Sequence, residues 1–170
     1  AAWIGAARRR KATTLMTTTI PELGFVRVSV LRTGGRVTVA EATEITGYVS
    51  LATWIALDVP DTDFRVSLYE LLADGGSVLL AEDLMRARHR ESLETATPVA
   101  PGVALRYDFD QCPFFSRLVA KGSRLRLFLR CPNTIYLQKN YNSGGVVADE
   151  TAQDARVAHV TVYHDAEHPS

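Results

Sequence analysis

The chain ends in TVYHDAEHPS, with His164 and His168 four residues apart, Asp165 and Glu167 between them, and Ser170 last. On a helix this spacing would set two imidazoles on one face as metal ligands. The serine, histidines and acids are also the residue types of a nucleophilic triad. Neither chemistry suits the local chain. Thr161-Val162-Tyr163 reads as the end of a strand, and Pro169 directly follows the second histidine, so the two rings need not point the same way. Ser170 has neither a strained elbow nor an oxyanion hole. The segment is expected to be a turn after a core strand, with its acids and histidines bonded to nearby backbone.

Other chemistry-bearing residues are few. Asp58, Asp61 and Asp63 cluster, but Pro60 holds its predecessor extended, and the spacing lacks the glycine and distal glutamate of a calcium loop. Capping of a turn by short acids is the expected role of Asp61 and Asp63. His159 alternates within a strand and reads as a hydrogen-bonded sheet histidine. There is no Gly-x-Ser-x-Gly, no glycine-rich phosphate loop ahead of a helix and no HExxH, so no catalytic residue, metal or cofactor is assigned. Cys112 and Cys131 are too few for a cysteine-rich zinc site. A bridge between them would close a loop of about 20 residues, worth ~3 kcal/mol, but two reduced thiols are the favoured reading.

Aromatic residues offer a binding reading instead. Trp54 lies on the strand face opposite Leu51, Ile55 and Leu57, beside small Ala52 and Ala56. With Tyr48 and Tyr141 it makes a candidate platform for a carbohydrate or small ligand, set against burial under a neighbouring surface.

Charge sets limits on the partners. Nineteen basic residues balance nineteen acidic ones across 170 residues, so no global field attracts nucleic acid or anionic lipid. No apolar run approaches the ~20 residues that span a bilayer. The basic run Arg8-Arg9-Arg10-Lys11 follows the apolar start rather than preceding it, the reverse of a secretory signal. A cytoplasmic protein is expected.

The elements that carry these residues alternate with period two. In Val49–Leu57 the odd positions share a face. Phe64, Val66, Leu68 and Glu70 oppose Arg65, Ser67, Tyr69 and Leu71. Residues 103–110, 124–130 and 156–163 repeat the pattern, which predicts strands with one face on a core. Asp74-Gly75-Gly76 between two such runs predicts a hairpin. The segment Ala81–Glu94 fits a helix or an extended edge equally well. Many short strands without a βαβ rhythm indicate an antiparallel sandwich or jelly roll. Residues 1–24 are expected to be an extension or linker, and 25–170 the sandwich.

Several phrases occur together in order: Thr43-Glu44-Ile45-Thr46-Gly47, Val59-Pro60-Asp61-Thr62-Asp63-Phe64, Arg86-Ala87-Arg88-His89-Arg90-Glu91-Ser92-Leu93, Pro101-Gly102, Lys121-Gly122-Ser123-Arg124-Leu125, Asn140-Tyr141-Asn142-Ser143-Gly144-Gly145 and His164–Ser170. In this order they resemble the C-terminal domain of X-Pro dipeptidyl-peptidases, cocaine esterases and α-amino-acid ester hydrolases, over about residues 36–170. The resemblance implies an all-β jelly-roll sandwich with galactose-binding-like topology. It also implies a non-catalytic domain that packs on an α/β-hydrolase catalytic domain, in cis or on another chain. In that role it helps wall the substrate entrance and makes oligomer contacts, and none of the Ser-His-Asp triad lies in this chain. On this reading the phrase residues are structural. Gly47 and Gly122 mark tight starts of strands, and Arg88 and Arg90 seek acids such as Glu91, Asp108 or Asp165. Asn142, His164, Asp165 and His168 complete the motif.

Overall fold

The computed structural model describes residues 13–16, 39–163, 165, 167 and 168. Among them are nine strands: β1 (Thr13–Met16), β2 (Thr43–Gly47), β3 (Leu51–Leu57), β4 (Asp63–Leu71), β5 (Ser77–Arg86), β6 (Leu105–Phe109), β7 (Phe115–Val119), β8 (Arg124–Arg130) and β9 (His159–Tyr163). The pairings are antiparallel. One sheet runs β1-β9-β3-β6, a second β5-β4-β8, and β2 and β7 form a separate ribbon.

The alternation decides which faces meet. Ile55 and Leu57 of β3, Tyr107 and Phe109 of β6 and Val160 of β9 come from the first sheet. They close one core cluster with Phe64 and Val66 of β4 and Leu129 of β8 from the second. The protein is therefore an all-β sandwich. Burying each such side chain favours the fold by about 1.5–3 kcal/mol relative to exposure. Across the gap, the Phe64 and Tyr107 rings meet edge to face, 5.5 Å between centroids, an arrangement aromatic pairs prefer.

The expected hairpin joins β4 to β5. Leu72 N–H donates to the Gly76 carbonyl at 2.8 Å, and the Asp74 carboxylate accepts the Gly76 N–H at 2.8 Å. The segment from Ala81, open between helix and edge in the sequence, continues β5 to Arg86 and then makes one short 3₁₀ turn over Ala87–His89. The extended form wins because Ala81 and Asp83 reach the interior while Glu82 and Leu84 face out, a period-two demand that a helix cannot meet. The residue 24/25 boundary lies outside the described residues. Within the segment read as a linker, Thr13–Met16 pairs with β9. Among the described residues no helix is long and apolar enough to cross a membrane.

Candidate functional site

The densest polar constellation sits where the turn before β4 meets the end of β5. Asp61 is fully buried, and each of its oxygens is claimed. Oδ1 accepts the Arg88 N–H at 3.0 Å, and Oδ2 accepts from Asn140 Nδ2 at 2.8 Å. The Arg88 Nε lies 2.8 Å from Oδ2, an ion pair by distance, although its N–H is not aimed well enough to count as a hydrogen bond. Burial pushes the Asp61 carboxyl up, and these donors together with the Arg88 charge offset only part of that rise. Two residues on, Asp63 takes a two-pronged bond from Arg86, at 2.8 and 3.1 Å, and a second bond from Asn140 Nδ2 at 2.9 Å. The guanidinium fork matches a carboxylate edge, which is why arginine rather than lysine serves there. The Arg86 guanidinium is held even further above its usual value by Asp63.

The loop 140–150 closes over this pair. Asn142 adopts φ +65°, accepted readily by asparagine. Its N–H donates to Asn140 Oδ1 and its Nδ2 to the Arg156 carbonyl, both at 2.8 Å. Glu150 accepts the Tyr141 N–H at 2.8 Å and the Ser143 hydroxyl. Arg88 reaches across to the Gly145 carbonyl at 2.8 Å. Gly144 has φ +83°, and a Cβ there would stand 2.7 Å from Pro60 Cγ. Only glycine allows both the backbone angle and the approach. Thus Asp61, Asp63, Arg88 and Asn142, singled out in the sequence, form one clasp.

The partners differ from expectation. Arg88 pairs with Asp61, not with Glu91, Asp108 or Asp165. The 3₁₀ turn after β5 carries its backbone N–H back onto the Asp61 carboxylate, and the side chain follows. Asp61 accordingly accepts a backbone N–H from 27 residues away rather than capping a local turn. Arg90 does meet Glu91, at 2.8 Å, and also donates to the Thr97 carbonyl at 2.8 Å. Asp108 instead pairs with Arg106.

A second buried acid is the glutamate that shares a face of β4 with Phe64, Val66 and Leu68. Glu70 is fully buried; Arg117 of β7 donates to it at 2.8 Å and the Ala120 N–H at 3.0 Å. Burial raises its pKa, but the Ser123 hydroxyl nearby, the Ala120 N–H and Arg117 together hold it below the ordinary glutamate value. This contact ties the β2–β7 ribbon to the β5–β4–β8 sheet.

At the other motif, Asp165 Oδ1 accepts the Glu167 and His168 N–H groups at 3.0 and 2.9 Å and lies 2.8 Å from His168 Nδ1. This is a turn stabilised by its own acid. His164 and Ser170 lie outside the described residues. The His168 ring stands edge-on to Trp54 at 5.3 Å and against Tyr163 at 4.8 Å, so Trp54 is covered in part by the chain's own tail. Tyr48 packs on Phe114, and Lys139 sits over the Tyr141 ring. No ring contact joins any two of the three candidate ligand aromatics. Gly47 closes β2, and Gly122, with φ +82°, turns the chain into β8.

His159 Nδ1 meets Asp58, His168 Nδ1 meets Asp165, and His89 Nδ1 meets the Ser92 carbonyl. Cys112 and Cys131 are free, buried thiols. Among the described residues no group of three His, Cys, Asp or Glu side chains is placed to hold a metal. What the clasp can do is fix the geometry of one end of the sandwich.

Comparison with known proteins follows the same lines. A family model described as "X-Pro dipeptidyl-peptidase C-terminal non-catalytic domain" matches residues 34–170. A cocaine esterase from Rhodococcus sp. (strain MB1 Bresler) is 29% identical over 127 residues, covering 75% of this chain and 22% of that protein. Among solved structures, an aminopeptidase from a marine sediment archaeon, Thaumarchaeota archaeon, superposes with a TM-score of 0.71 at 14% identity, over 95% of this chain and 32% of that one. An α-amino acid ester hydrolase gives a TM-score of 0.66 at 18% identity, over 76% and 23%. At those identities the structures establish likeness of fold. The chain spans about a fifth to a third of the length of these relatives.

Proposed function

The chain belongs to the X-Pro dipeptidyl-peptidase C-terminal non-catalytic domain family, and from that premise we propose that it is the accessory β-sandwich of an α/β serine hydrolase. In this reading the domain packs on the catalytic domain, in cis or on another chain, and helps wall the substrate entrance. It works without metal or cofactor. The observation that carries the reading is the Asp61–Arg88–Asn140 clasp. The family's phrases converge there on charge neutralisation and turn geometry, and the Ser143 hydroxyl among them donates to Glu150. The sandwich is read as a jelly roll with galactose-binding-like topology.

Apolar side chains exposed at the periphery support a docking role. Ile135 and Tyr136 are 92% and 87% exposed on the loop leading to Asn140, and Tyr48, Phe114 and Leu118 are exposed around the β2–β7 ribbon. Such apolar surface marks contact with another domain or copy, and homodimers are part of the proposal. The ligand-platform alternative is weaker, since Trp54 meets His168.

The test treats the purified chain with a fluorophosphonate probe and an activated ester, then adds a separately purified α/β-hydrolase domain of the same family. Neither labelling nor turnover is expected from the chain alone, and co-elution with the hydrolase domain is expected. Stoichiometric serine labelling of the lone chain would overturn the non-catalytic role. A strictly monomeric elution at high concentration would remove the homodimer.

A further inference from the structure

We propose that the outer face of the β5–β4–β8 sheet is a docking groove for an extended acidic polypeptide segment, seating carboxylates on Arg126 and Arg130 and an aromatic side chain between them. The proposal does not depend on the accessory-domain reading, because it names only the chemistry of the segment.

Alternation in Arg-Leu-Arg-Leu-Phe-Leu-Arg sets Leu125, Leu127 and Leu129 on one face, of which only Leu129 is buried and Leu127 is exposed, and leaves Arg124, Arg126, Phe128 and Arg130 on the other, outer face. The register sets Arg65 opposite Arg130, Ser67 opposite Phe128, and Tyr69 opposite Arg126. Two like charges directly across a pair of strands are destabilising, and only one of this pair is neutralised, Arg65 by Glu82. Arg124, Arg126 and Arg130 form no ion pair among the described residues. In a chain with nineteen charges of each sign, this face is a local cationic excess.

The groove between these side chains encloses about 250 Å³, with Tyr69, Leu71, Ser77, Arg126, Phe128 and Arg130 around it. Its floor is aromatic. Tyr69 and Phe128 meet edge to face at 5.6 Å, and the Arg126 guanidinium lies 5.4 Å over Phe128. Three polar atoms of this face, Arg65 Nε, Ser67 Oγ and Arg130 Nε, are buried without a hydrogen-bond partner. Burial keeps these three from a docked chain, so any acceptors it brings fall to the exposed guanidinium of Arg126 and the terminal nitrogens of Arg130. A carboxylate is the acceptor a guanidinium fork binds best.

Spacing gives the sequence of the segment. Arg126 and Arg130 are four residues apart on one strand, about 13 Å at ~3.3 Å per residue. An extended peptide laid alongside places residues i and i+4 at that separation, with i+2 over Phe128. The groove therefore reads acid-x-aromatic-x-acid.

The test is fluorescence anisotropy of the full chain with a labelled Glu-Ser-Phe-Ser-Glu peptide, its Lys-Ser-Phe-Ser-Lys counterpart, and a single-stranded oligonucleotide, whose aromatic and cationic requirements overlap these. The acidic peptide is expected to bind at least about tenfold more tightly than the basic one, a difference of about 1.4 kcal/mol, and to weaken as salt is raised. Arg126→Gln/Arg130→Gln is expected to weaken it about tenfold or more. Arg126→Gln alone, at an exposed position with no ion pair to lose, should weaken it about threefold without altering the melting temperature. Equal affinity for the two peptides, indifference of the acidic peptide to both variants, or tighter binding of the oligonucleotide would each overturn the proposal.

Discussion

Asp61 and Arg88 meet twice, through backbone and side chain. The Arg88 N–H donates to Oδ1 at 3.0 Å, and its guanidinium Nε lies 2.8 Å from Oδ2. The carboxylate is fully buried, and Asn140 bonds it as well. Because burial holds the carboxyl above the ordinary range, its ionisation alone adds little. Its value lies in two hydrogen-bond donors, the Arg88 N–H and the Asn140 amide, and a guanidinium charge that would otherwise be stranded. Asp61→Ala is expected to cost about 3–5 kcal/mol, the range for breaking a buried charged pair, and Asp61→Asn less, since one acceptor remains. Denaturant unfolding measures both. A loss below about 0.5 kcal/mol for Asp61→Ala, the scale of an ordinary surface change, would show that the clasp does not hold the fold.

Gly144 and Gly75 separate two costs of adding a methyl group. Both have positive φ, +83° and +92°. A Cβ at Gly75 meets nothing within 4 Å, whereas at Gly144 it lies 2.7 Å from Pro60. Gly75→Ala should cost about 1–2 kcal/mol, the left-handed backbone penalty alone. Gly144→Ala should cost more than that, because Pro60 is fixed beside Asp61. Equal melting temperatures for the two variants would mean that the loop yields and does not press on the turn.

Acid should act through Glu70. Its folded pKa lies below the unfolded value of 4.5, since the hydrogen bonds and Arg117 outweigh burial. A depressed carboxyl contributes stability that is present above the unfolded value and lost as pH falls through the folded one. The stability gap between the native protein and Glu70→Gln should therefore be widest above about pH 4.5 and shrink below it. Asp61 runs the other way. Its raised pKa gives a contribution present below the unfolded value of 3.8 and lost as pH rises through the folded one. Urea titrations of native and Glu70→Gln protein at several pH values read the sign. A Glu70 gap that widens on acidification would refute the assignment.

The two thiols should be inert while the protein is folded. Burial pushes Cys131 up to about 12, and Cys112 is also raised, first by burial and then by Asp83 and Glu82. Thiolate is the reactive form, so an aromatic disulfide reagent at pH 8 should label neither thiol in the native state and both in denaturant. Rapid modification of the native protein would contradict this burial.

Period-two patterning made β3, β4, β6, β8 and β9 readable, together with their inward faces, because alternation and burial report the same thing. Asp74-Gly75-Gly76 announced its hairpin for an equally local reason. β7 was missed, since Pro113 and two adjacent phenylalanines obscure its alternation, and β5 was ambiguous because arginines stand at both strand and helix spacing. The residues of the clasp were visible as phrases, but their pairing was not. Arg88 had several acids in reach on paper, and the choice of Asp61 depends on how the 3₁₀ turn redirects the chain. Glu70 was in view on an apolar face, yet Arg117 as its partner follows only from where the β2–β7 ribbon lies.

The ties that close the clasp are distant along the chain. Asn140 reaches Asp61 across 79 residues and Arg88 reaches Gly145 across 57, while His159 meets Asp58 across 101. Contacts of this span come late in folding, because loop closure must precede their reward. A ribosome delivering the chain exposes Asp61 and Asp63 long before Asn140 exists. During that interval Asp61 and Asp63 have Arg86 and Arg88 beside them but lack the Asn140 amide that bridges the two. Completion of the clasp is thus timed by the arrival of residues 140–145, and a ribosome that stalls before them leaves Asp61 and Asp63 without their amide partner.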